Sequence, residues 1–324
     1  MRPVLVALFG VELPAYFAML ATGFALATLI GSRWVRRLGL DGEVVIDLGL
    51  AMVVAGVIGS RLLHVIADGY FWDYVHMCTD PSRVAWHITR EHCLHESVGG
   101  VWDAAARVCH PKEPNCFAWA AFWAGGLTYY GGLIGATGYA VYFLRRERFP
   151  FWKAADMAGF AVALGLAWGR MGCFLAGCCF GTVTDHPWSA WFPRYSPASE
   201  AQFRAHRLPS EAVAALPVHP TQLYEAAGSL LIAVVGYYLI APRKRFDGQV
   251  FAFFLVSYSV LRVAVEVLRN DDRGGLVGLS TSQLISALIV AGMVPVYRAL
   301  AARARRDSAA EEHLAVANDA PRAG

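Results

Sequence analysis

The sequence predicts an all-α integral membrane protein with seven transmembrane helices. Hydrophobic residues make up 56% of the 324-residue chain and charged residues only 16%, whereas soluble globular proteins carry about 25% charged residues. Seven segments are apolar over about 20 residues, the length that crosses a bilayer. Lysine and arginine collect in the connections between these segments. The net charge of +3 is too small to indicate nucleic acid as a partner.

The seven predicted spans are separated by polar or charged stretches. They are residues 13–32, 45–67, 118–144, 154–178, 221–241, 248–268 and 278–297. An unpaired ionisable group inside a bilayer costs at least roughly 2.5–3.5 kcal/mol on insertion scales. The second, fourth and sixth spans contain such groups, so we expect them to face one another or a cavity.

The distribution of positive charge predicts the orientation of the spans. Lysine and arginine cluster in four places, at 33–37, 145–153, 243–245 and 298–306. With seven spans, all four clusters lie on one side of the membrane, as the enrichment of these residues in cytoplasmic loops requires. The N-terminus then lies outside and the C-terminus lies in the cytoplasm.

This topology divides the chain into a transmembrane domain, residues 1–298, and a charged cytoplasmic tail, residues 299–324. Two long loops, 68–117 and 179–218, lie outside. The first loop contains the cysteines Cys78, Cys93, Cys109 and Cys116. Disulfides form outside the cytoplasm, so we expect them here, although four cysteines allow three pairings. Free thiols or a metal site with a loop histidine are the alternatives.

The fourth span contains an arginine among glycines, in the segment Gly169-Arg170-Met171-Gly172. A guanidinium is a planar fork of five donors that matches phosphate. Gly165 and Gly169 remove side-chain bulk and allow close helix packing. The pattern therefore predicts that Arg170 meets a lipid headgroup in a narrow space. The alternative is a structural arginine that is tied to a carboxylate or to backbone carbonyls.

The sixth span contains a second charged group, with Tyr258, Arg262, Glu266 and Arg269. Arg262 and Glu266 are four residues apart, so they share a helix face and can pair. Such a group is costly in a membrane unless it lines a polar cavity. A purely structural ladder of salt bridges is the alternative.

Other polar residues in or beside the spans are ambiguous when taken one at a time. Tyr130 precedes Gly131 and Gly132, and a tyrosine hydroxyl donates hydrogen bonds but is a poor base at neutral pH. His219, at the start of the fifth span, is either an interfacial cap or a reactant. Tyr16 and Arg61 add a hydroxyl and a guanidinium to the first two spans.

Three cysteines, Cys173, Cys178 and Cys179, follow Arg170 at the end of the fourth span. Free cysteine packs as a small hydrophobic residue. A thiolate nucleophile would instead need a neighbour such as Arg170 to favour the charged form. We favour packing, or a disulfide of Cys173 with Cys178 or Cys179, over a nucleophile.

Taken together, the motifs resemble those of the prolipoprotein diacylglyceryl transferase family. They are Tyr-Gly-Gly-Leu-Ile-Gly at 130–135, Gly-Arg-x-Gly at 169–172, His-Pro-Thr-Gln-Leu-Tyr-Glu at 219–225 and Leu-Arg-x-x-x-Glu-x-x-Arg at 261–269. Tyr16, the segment 59–61 and the segment 280–284 also fit. The resemblance covers about residues 12–297, without most of the loop at 70–116.

The resemblance implies a multi-pass enzyme of the bacterial inner membrane. Members of the family transfer a diacylglyceryl group from phosphatidylglycerol to the lipobox cysteine thiol of a prolipoprotein and release glycerol 1-phosphate. The implied partners are phosphatidylglycerol, prolipoprotein signal peptides and the lipid bilayer. No cofactor and no metal are expected. The alternative is a phospholipid-binding relative that is non-catalytic or uses another acceptor, and a transporter is a third possibility.

The resemblance also implies roles for single residues. Arg170 and Arg262 would hold the headgroup, Glu266 would orient Arg262, and Tyr130 would complete the catalytic set. The implied substrate-binding residues are Tyr16, Arg61, Gly131, Gly132, Cys173, Cys178, Gly181, His219 and Arg269.

Three positions depart from the family pattern. Tyr130 stands where the family commonly has histidine, Cys173 where it has asparagine, and Cys178 where it has glutamate. The groups for holding phosphate are therefore present, while the usual groups for handling the proton are replaced. Tyr130 and His219 are the candidates for that task.

Overall fold

The computed structural model describes residues 4–8, 11–88, 90–94, 98–122, 126–269, 275–276 and 279–319. The chain forms two compact units, a larger one of residues 1–45 and 150–324 and a smaller one of residues 46–149. Within the described residues, six helices are long and apolar enough to cross a membrane. The prediction of a helical membrane protein is therefore confirmed.

Helices make up most of the chain, and short antiparallel hairpins lie between them. In chain order the elements are β1 (Val4–Leu8), β2 (Val11–Pro14), α1 (Ala15–Arg37), α2 (Glu43–Ala67), α3 (Phe71–Thr79), α4 (Arg90–Cys93), β3 (Gly100–Asp103), β4 (Val108–Pro111), α5 (Tyr129–Arg146), α6 (Phe151–Ala176), α7 (Pro197–Arg204), α8 (Thr221–Val235), α9 (Gln249–Glu266), β5 (Gly275–Leu276), β6 (Leu279–Ser280) and α10 (Thr281–Asp319). The strands pair as β1–β2, β3–β4 and β5–β6. The sequence did not predict these hairpins, which lie outside the long helices.

Six of the seven predicted spans coincide with the six membrane-length helices. These helices are α1, α2, α6, α8 with its continuation to Arg243, α9 and the Thr281–Ala310 part of α10. Helix α8 continues through a π-helical turn at Gly236–Ile240 and a 3-10 turn at Ala241–Arg243. Helix α10 runs on into the predicted charged tail, as far as Asp319.

The third predicted span, 118–144, differs from the structure at its start. Its helical part is α5, which begins only at Tyr129. Gly126 has a φ of 67°, a left-handed conformation that an α-helix cannot contain. A Cβ at Gly126 would also lie 2.7 Å from Nη1 of Arg61. The backbone conformation at Gly126 therefore prevents α5 from starting earlier.

Helix α6 is the centre of the larger unit, where it packs against α1, α8 and α9. Small residues make this close packing possible. Ala163 is fully buried, and a Cβ at Gly159 would lie 3.0 Å from the carbonyl oxygen of Val250 in α9. Gly159 and Ala163 therefore let neighbouring helices approach the backbone of α6. At Gly165 an added Cβ would meet no described atom within 4 Å, and at Gly169 only Leu20, at 3.9 Å, so the predicted close packing at these two glycines is not observed.

A buried carboxylate, Asp156, fixes the start of α9 against α6. It accepts hydrogen bonds from the backbone N–H groups of Val250, at 2.9 Å, and Phe251, at 3.2 Å. It also pairs with Lys244, whose Nζ lies 2.8 Å from Oδ2. Burial alone would lower the pKa of Lys244, but hydrogen bonds to Asp156 and Asp247 outweigh it and raise that pKa. Asp156 thus satisfies donors that the helix itself leaves unpaired.

The smaller unit brings α2 and α5 into backbone contact through glycines. A Cβ at Gly135 would lie 2.5 Å from the carbonyl oxygen of Ala55, and one at Gly59 would lie 3.0 Å from the Cα of Gly135. A Cβ at Gly131 would collide with the carbonyl oxygen of Gly59. The glycine motif of α5 therefore serves helix packing. Whether Gly131 and Gly132 also bind substrate stays a prediction.

Two disulfides, Cys78–Cys116 and Cys93–Cys109, close the long loop of the smaller unit. The expectation of disulfides in this loop is confirmed, and the structure selects one of the three possible pairings. The second disulfide joins α4 to the β3–β4 hairpin. The four sulfurs are bonded in two pairs, so they are neither the free thiols nor the metal ligands of the alternative interpretation.

Candidate active site

Arg170 forms an ion pair inside the larger unit. Its Nη2 lies 2.9 Å from Oε1 of Glu225 on α8, and the Glu225 side chain is fully buried. The hydroxyl of Tyr258 on α9 donates to the same oxygen at 2.8 Å. This network joins α6, α8 and α9, and it provides the anion that a guanidinium in a membrane helix requires.

Three polar atoms on the same face of α8 have no partner among the residues that the structure describes. Oε1 of Gln222, Oε2 of Glu225 and Oγ of Ser229 are buried, and none makes a hydrogen bond to a described residue. The three residues are spaced three and four apart, so they share one helix face. Buried polar atoms nearly always have a partner, and such a face is therefore suited to a polar ligand group.

Arg262 and Glu266 pair on α9, as their spacing predicts. Nη1 of Arg262 lies 2.5 Å from Oε2 of Glu266, and both side chains are only 9% exposed. The hydroxyl of Ser282, at the start of α10, donates to the other carboxylate oxygen at 2.6 Å. The buried Nη2 of Arg262 makes no hydrogen bond within the described residues. Glu266 is thus fixed on two sides and holds one end of the Arg262 fork.

Gly181 lies where three segments of the chain meet. Its N–H donates to the carbonyl of His219 at 2.9 Å, and it forms an isolated β-bridge with Arg269. A Cβ here would lie 2.5 Å from the carbonyl oxygen of Leu268 and 2.8 Å from the Cβ of His219. Only glycine allows this approach, which brings Arg269 and His219 to the loop after α6.

His219 has polar and aromatic neighbours. Its Nδ1 lies 3.3 Å from the hydroxyl of Tyr224, and its ring lies 5.4 Å from the ring of His186. His186 in turn stacks on Trp188, with ring centroids 4.9 Å apart. His219 therefore lies in an aromatic cluster at the start of α8. No sequence pattern predicts that His186 belongs to this cluster.

Tyr16 and the cysteines lie close to Arg170. Tyr16 packs on Gly172 of α6, where a Cβ would come within 3.2 Å of the Tyr16 Cα. Its hydroxyl interacts electrostatically with Cys173, Cys178 and Arg170. The structure thus brings Tyr16 of α1 to three residues that the sequence singled out at the end of the fourth span, Arg170, Cys173 and Cys178.

Cys173, Cys178 and Cys179 carry free thiols, so the predicted disulfide between Cys173 and one of the other two is absent. The three sulfurs lie within 4.8 Å of one another. The thiol of Cys178 donates to the carbonyl oxygen of Cys173 at 3.7 Å. The three free thiols form a compact, half-buried group at the end of α6, which agrees with the other favoured expectation, packing of free cysteines.

The four remaining predicted site residues belong to the smaller unit. Arg61 is buried, and its Nε and Nη2 each donate at 2.7 Å to the carbonyls of Trp119 and Ala118. These bonds hold the segment before α5, which gives Arg61 a structural role. Tyr130 is 52% exposed at the start of α5 and packs edge-on against Tyr129. Gly131 and Gly132 follow it in the packing contact with α2.

Comparison with known proteins places this arrangement in a family. Residues 3–89 and 99–298 match the family model described as prolipoprotein diacylglyceryl transferase. The chain belongs to this family. A relative from Azoarcus sp. (strain BH72), named phosphatidylglycerol–prolipoprotein diacylglyceryl transferase, is 31% identical over 94% of this chain and 97% of its own length. A relative of the same name from Clostridium tetani is 26% identical over 90% of this chain and 94% of its own length.

Two contacts of this family member were missed by sequence reasoning. The motif at 219–225 contains Glu225, but its pattern alone assigns no role to this residue, although Arg170 in a membrane span needs a polar partner. Tyr258 was grouped with Arg262 and Glu266, whereas it hydrogen-bonds to Glu225. One feature of the sequence could have predicted both contacts. Arg170 needs a partner within the membrane, and the motif at 219–225 contains an acidic residue, Glu225.

Proposed function

We propose that this membrane protein transfers a diacylglyceryl group from phosphatidylglycerol to the lipobox cysteine thiol of prolipoproteins. Family membership and the names of the full-length relatives support this activity. The observation that carries the proposal is the buried pair of Arg170 with Glu225, next to polar atoms of α8 that have no described partner. Such a site suits a phosphate group at the level of a lipid headgroup.

The reaction replaces a carbon–oxygen bond of the phospholipid by a carbon–sulfur bond to the prolipoprotein. The thiol sulfur attacks the carbon of the diacylglycerol that bears the phosphodiester oxygen, that carbon–oxygen bond breaks, and glycerol 1-phosphate leaves with the negative charge. Arg170 and Arg262 would hold the phosphate, because guanidinium forks donate in pairs to its oxygens and stabilise the developing charge. Glu266 would keep Arg262 oriented.

The proton of the attacking thiol needs an acceptor. In this chain Tyr130 stands at the family's usual histidine position, and His219 is the other candidate. Tyr16, Arg61, Gly131, Gly132, Gly181 and Arg269 are proposed to line the substrate sites with Cys173 and Cys178. The position of His219 beside Gly181, at the start of α8, supports its inclusion.

An assay with purified components tests the transfer directly. The full chain in detergent is incubated with phosphatidylglycerol and a peptide that carries a lipobox cysteine. We expect glycerol phosphate release and a thioether-linked diacylglyceryl peptide in equal amounts, and at least about 100-fold less of both with Arg262→Lys, which keeps the charge but loses the fork. Phosphatidylglycerol that binds while the peptide stays unmodified would instead support the non-catalytic alternative.

We also propose seven spans, with the N-terminus outside, in the bacterial inner membrane. Helix α5 supplies the additional span, since its 18 residues extend roughly 27 Å at 1.5 Å per residue, close to the ~30 Å hydrocarbon core. Arg145 and Arg146 end this helix at the proposed cytoplasmic side. The disulfides of the loop at 68–117 support its location in an oxidising compartment.

Thiol labelling in intact cells tests this topology. A cysteine placed at Lys112 in the outer loop should react with a membrane-impermeant maleimide, whereas one placed at Arg148 should react only after the membrane is opened. Labelling of both before the membrane is opened, or of Arg148→Cys alone, would contradict the seven-span orientation.

A further inference from the structure

We propose that Cys173, Cys178 and Cys179 form a binding site for a thiophilic d10 metal ion of the zinc(II) class. Their sulfurs lie within 4.8 Å of one another, and among the described residues only these three side chains form a group with metal-ligand geometry. Zinc–sulfur bonds of about 2.3 Å in a tetrahedron place two sulfurs about 3.8 Å apart. Small side-chain rotations therefore bring all three sulfurs to bonding distance.

The backbone that carries the three thiols is held by two left-handed residues and by two hydrogen bonds from α8. Gly177, with a φ of 76°, ends α6, and Cys179 adopts a left-handed φ of 61°. Gln222 donates to the carbonyl of Cys178 at 2.6 Å, and Thr221 donates to that of Cys179 at 2.8 Å. The start of α8 thus fixes the loop in the conformation that makes the sulfurs converge, and a fixed ligand set favours metal binding.

The charges around the thiols suit a trithiolate. Binding follows Zn²⁺ + 3 RSH → [Zn(SR)₃]⁻ + 3 H⁺, so the bound form carries one negative charge. The Arg269 side chain hydrogen-bonds to Cys179, and Arg170 interacts electrostatically with Cys179 and Cys173. These guanidinium groups offset that charge. Three protein ligands leave the fourth tetrahedral position for water or another ligand.

A disulfide is the competing chemistry for this cluster. It would join two of the sulfurs, as in the loop of the smaller unit, and leave the third thiol alone. A metal uses all three sulfurs, which is what their mutual proximity favours. The proposal revises the expectation of no metal site, and it replaces the substrate-lining role of the Cys173 and Cys178 thiols by metal binding. Its test does not depend on the transferase reaction.

Metal content and thiol oxidation of the purified full chain test the proposal. The protein is stripped with a chelator, incubated with one equivalent of zinc(II), desalted and analysed for zinc by mass spectrometry. We expect about one zinc per chain for the wild type, and at least a tenfold lower content for Cys178→Ser. Titration with cadmium(II) should give a thiolate charge-transfer band that saturates at one equivalent.

The control is His87→Gln, which removes an exposed histidine of the outer loop and should leave the zinc content unchanged. The elution profile of each variant in detergent shows whether it folds like the wild type. If a variant does not fold, the zinc content and the thiol count of the wild type decide whether the proposal holds. Absence of zinc from the wild type with three thiols free to alkylation would overturn the proposal. The proposal would also be overturned if only one of the three thiols were free in the untreated protein. Zinc that is retained when Cys173, Cys178 and Cys179 are all replaced by serine would overturn it too.

Discussion

At the scale of single residues, a guanidinium in a membrane helix needs a polar partner, either an anion or backbone carbonyls. Arg170 has Glu225 at 2.9 Å, and Tyr258 donates to the same carboxylate. The second arginine, Arg262, is held by Glu266. Each arginine therefore has one carboxylate that fixes it and further donors that can face a phosphate.

Replacing Glu225 by glutamine should destabilise the protein strongly. Removing one partner of a buried ion pair costs about 3–5 kcal/mol, because the other charge stays buried without compensation. The matched control is Glu200→Gln, since Glu200 pairs with Arg204 at the surface, where the Arg204 side chain is 75% exposed and the Glu200 side chain 46% exposed. A surface pair contributes at most about 1 kcal/mol. Thermal unfolding in detergent measures both, and equal melting temperatures for the two variants would contradict the role of Glu225.

Replacing Tyr130 by phenylalanine tests its proposed part in proton transfer. A positioned acid or base contributes about 100- to 10,000-fold to the rate, so we expect the peptide transfer rate to fall at least about 100-fold. Tyr129→Phe is the control, because Tyr129 is the adjacent exposed tyrosine of the same helix turn. A full rate with Tyr130→Phe would exclude Tyr130 and favour His219.

At the scale of elements, local sequence patterns predicted contacts within a helix better than contacts between helices. The pairing of Arg262 with Glu266 follows from their four-residue spacing alone. The pairing of Arg170 with Glu225 depends on how α6 packs against α8, which no local pattern contains. The start of α5 was missed for a similar reason, because it depends on the backbone conformation of Gly126 and on the bonds that Arg61 makes to the preceding segment.

Helix α5 offers a matched pair of glycine substitutions. Gly135→Ala should destabilise the protein, because its Cβ would lie 2.5 Å from the carbonyl oxygen of Ala55 and would force α2 and α5 apart. Gly138→Ala should be neutral or stabilising by up to about 1 kcal/mol, since no atom lies within 4 Å of its added Cβ. Melting temperatures in detergent decide this, and the opposite order would contradict the packing of α2 on α5.

At the scale of the whole molecule, composition and the lengths of the apolar segments were enough to predict a helical membrane protein. The predicted disulfides also occur in the loop at 68–117, but their pairing needed the structure. The hairpins and the free thiol group at the end of α6 could not be predicted, because they depend on loop conformations that place distant residues together. Free thiols and disulfides together account for all seven cysteines.

That division of the cysteines can be measured on the denatured protein. A large maleimide reagent should add to three cysteines without a reductant and to all seven after reduction, which gives two distinct gel shifts. A shift by seven reagents without reduction would contradict both disulfides of the loop.

We propose that Arg170 and its partners serve diacylglyceryl transfer to a lipobox cysteine. The most direct test of this claim is the mass of a model lipoprotein in cells that are depleted of their own transferase and express this chain. We predict a mass increase of one diacylglyceryl group on the lipobox cysteine, and its loss with Arg170→Lys, because lysine keeps the charge but not the planar fork. An unmodified lipoprotein despite good membrane expression of the wild type, or full modification by Arg170→Lys, would contradict the claim.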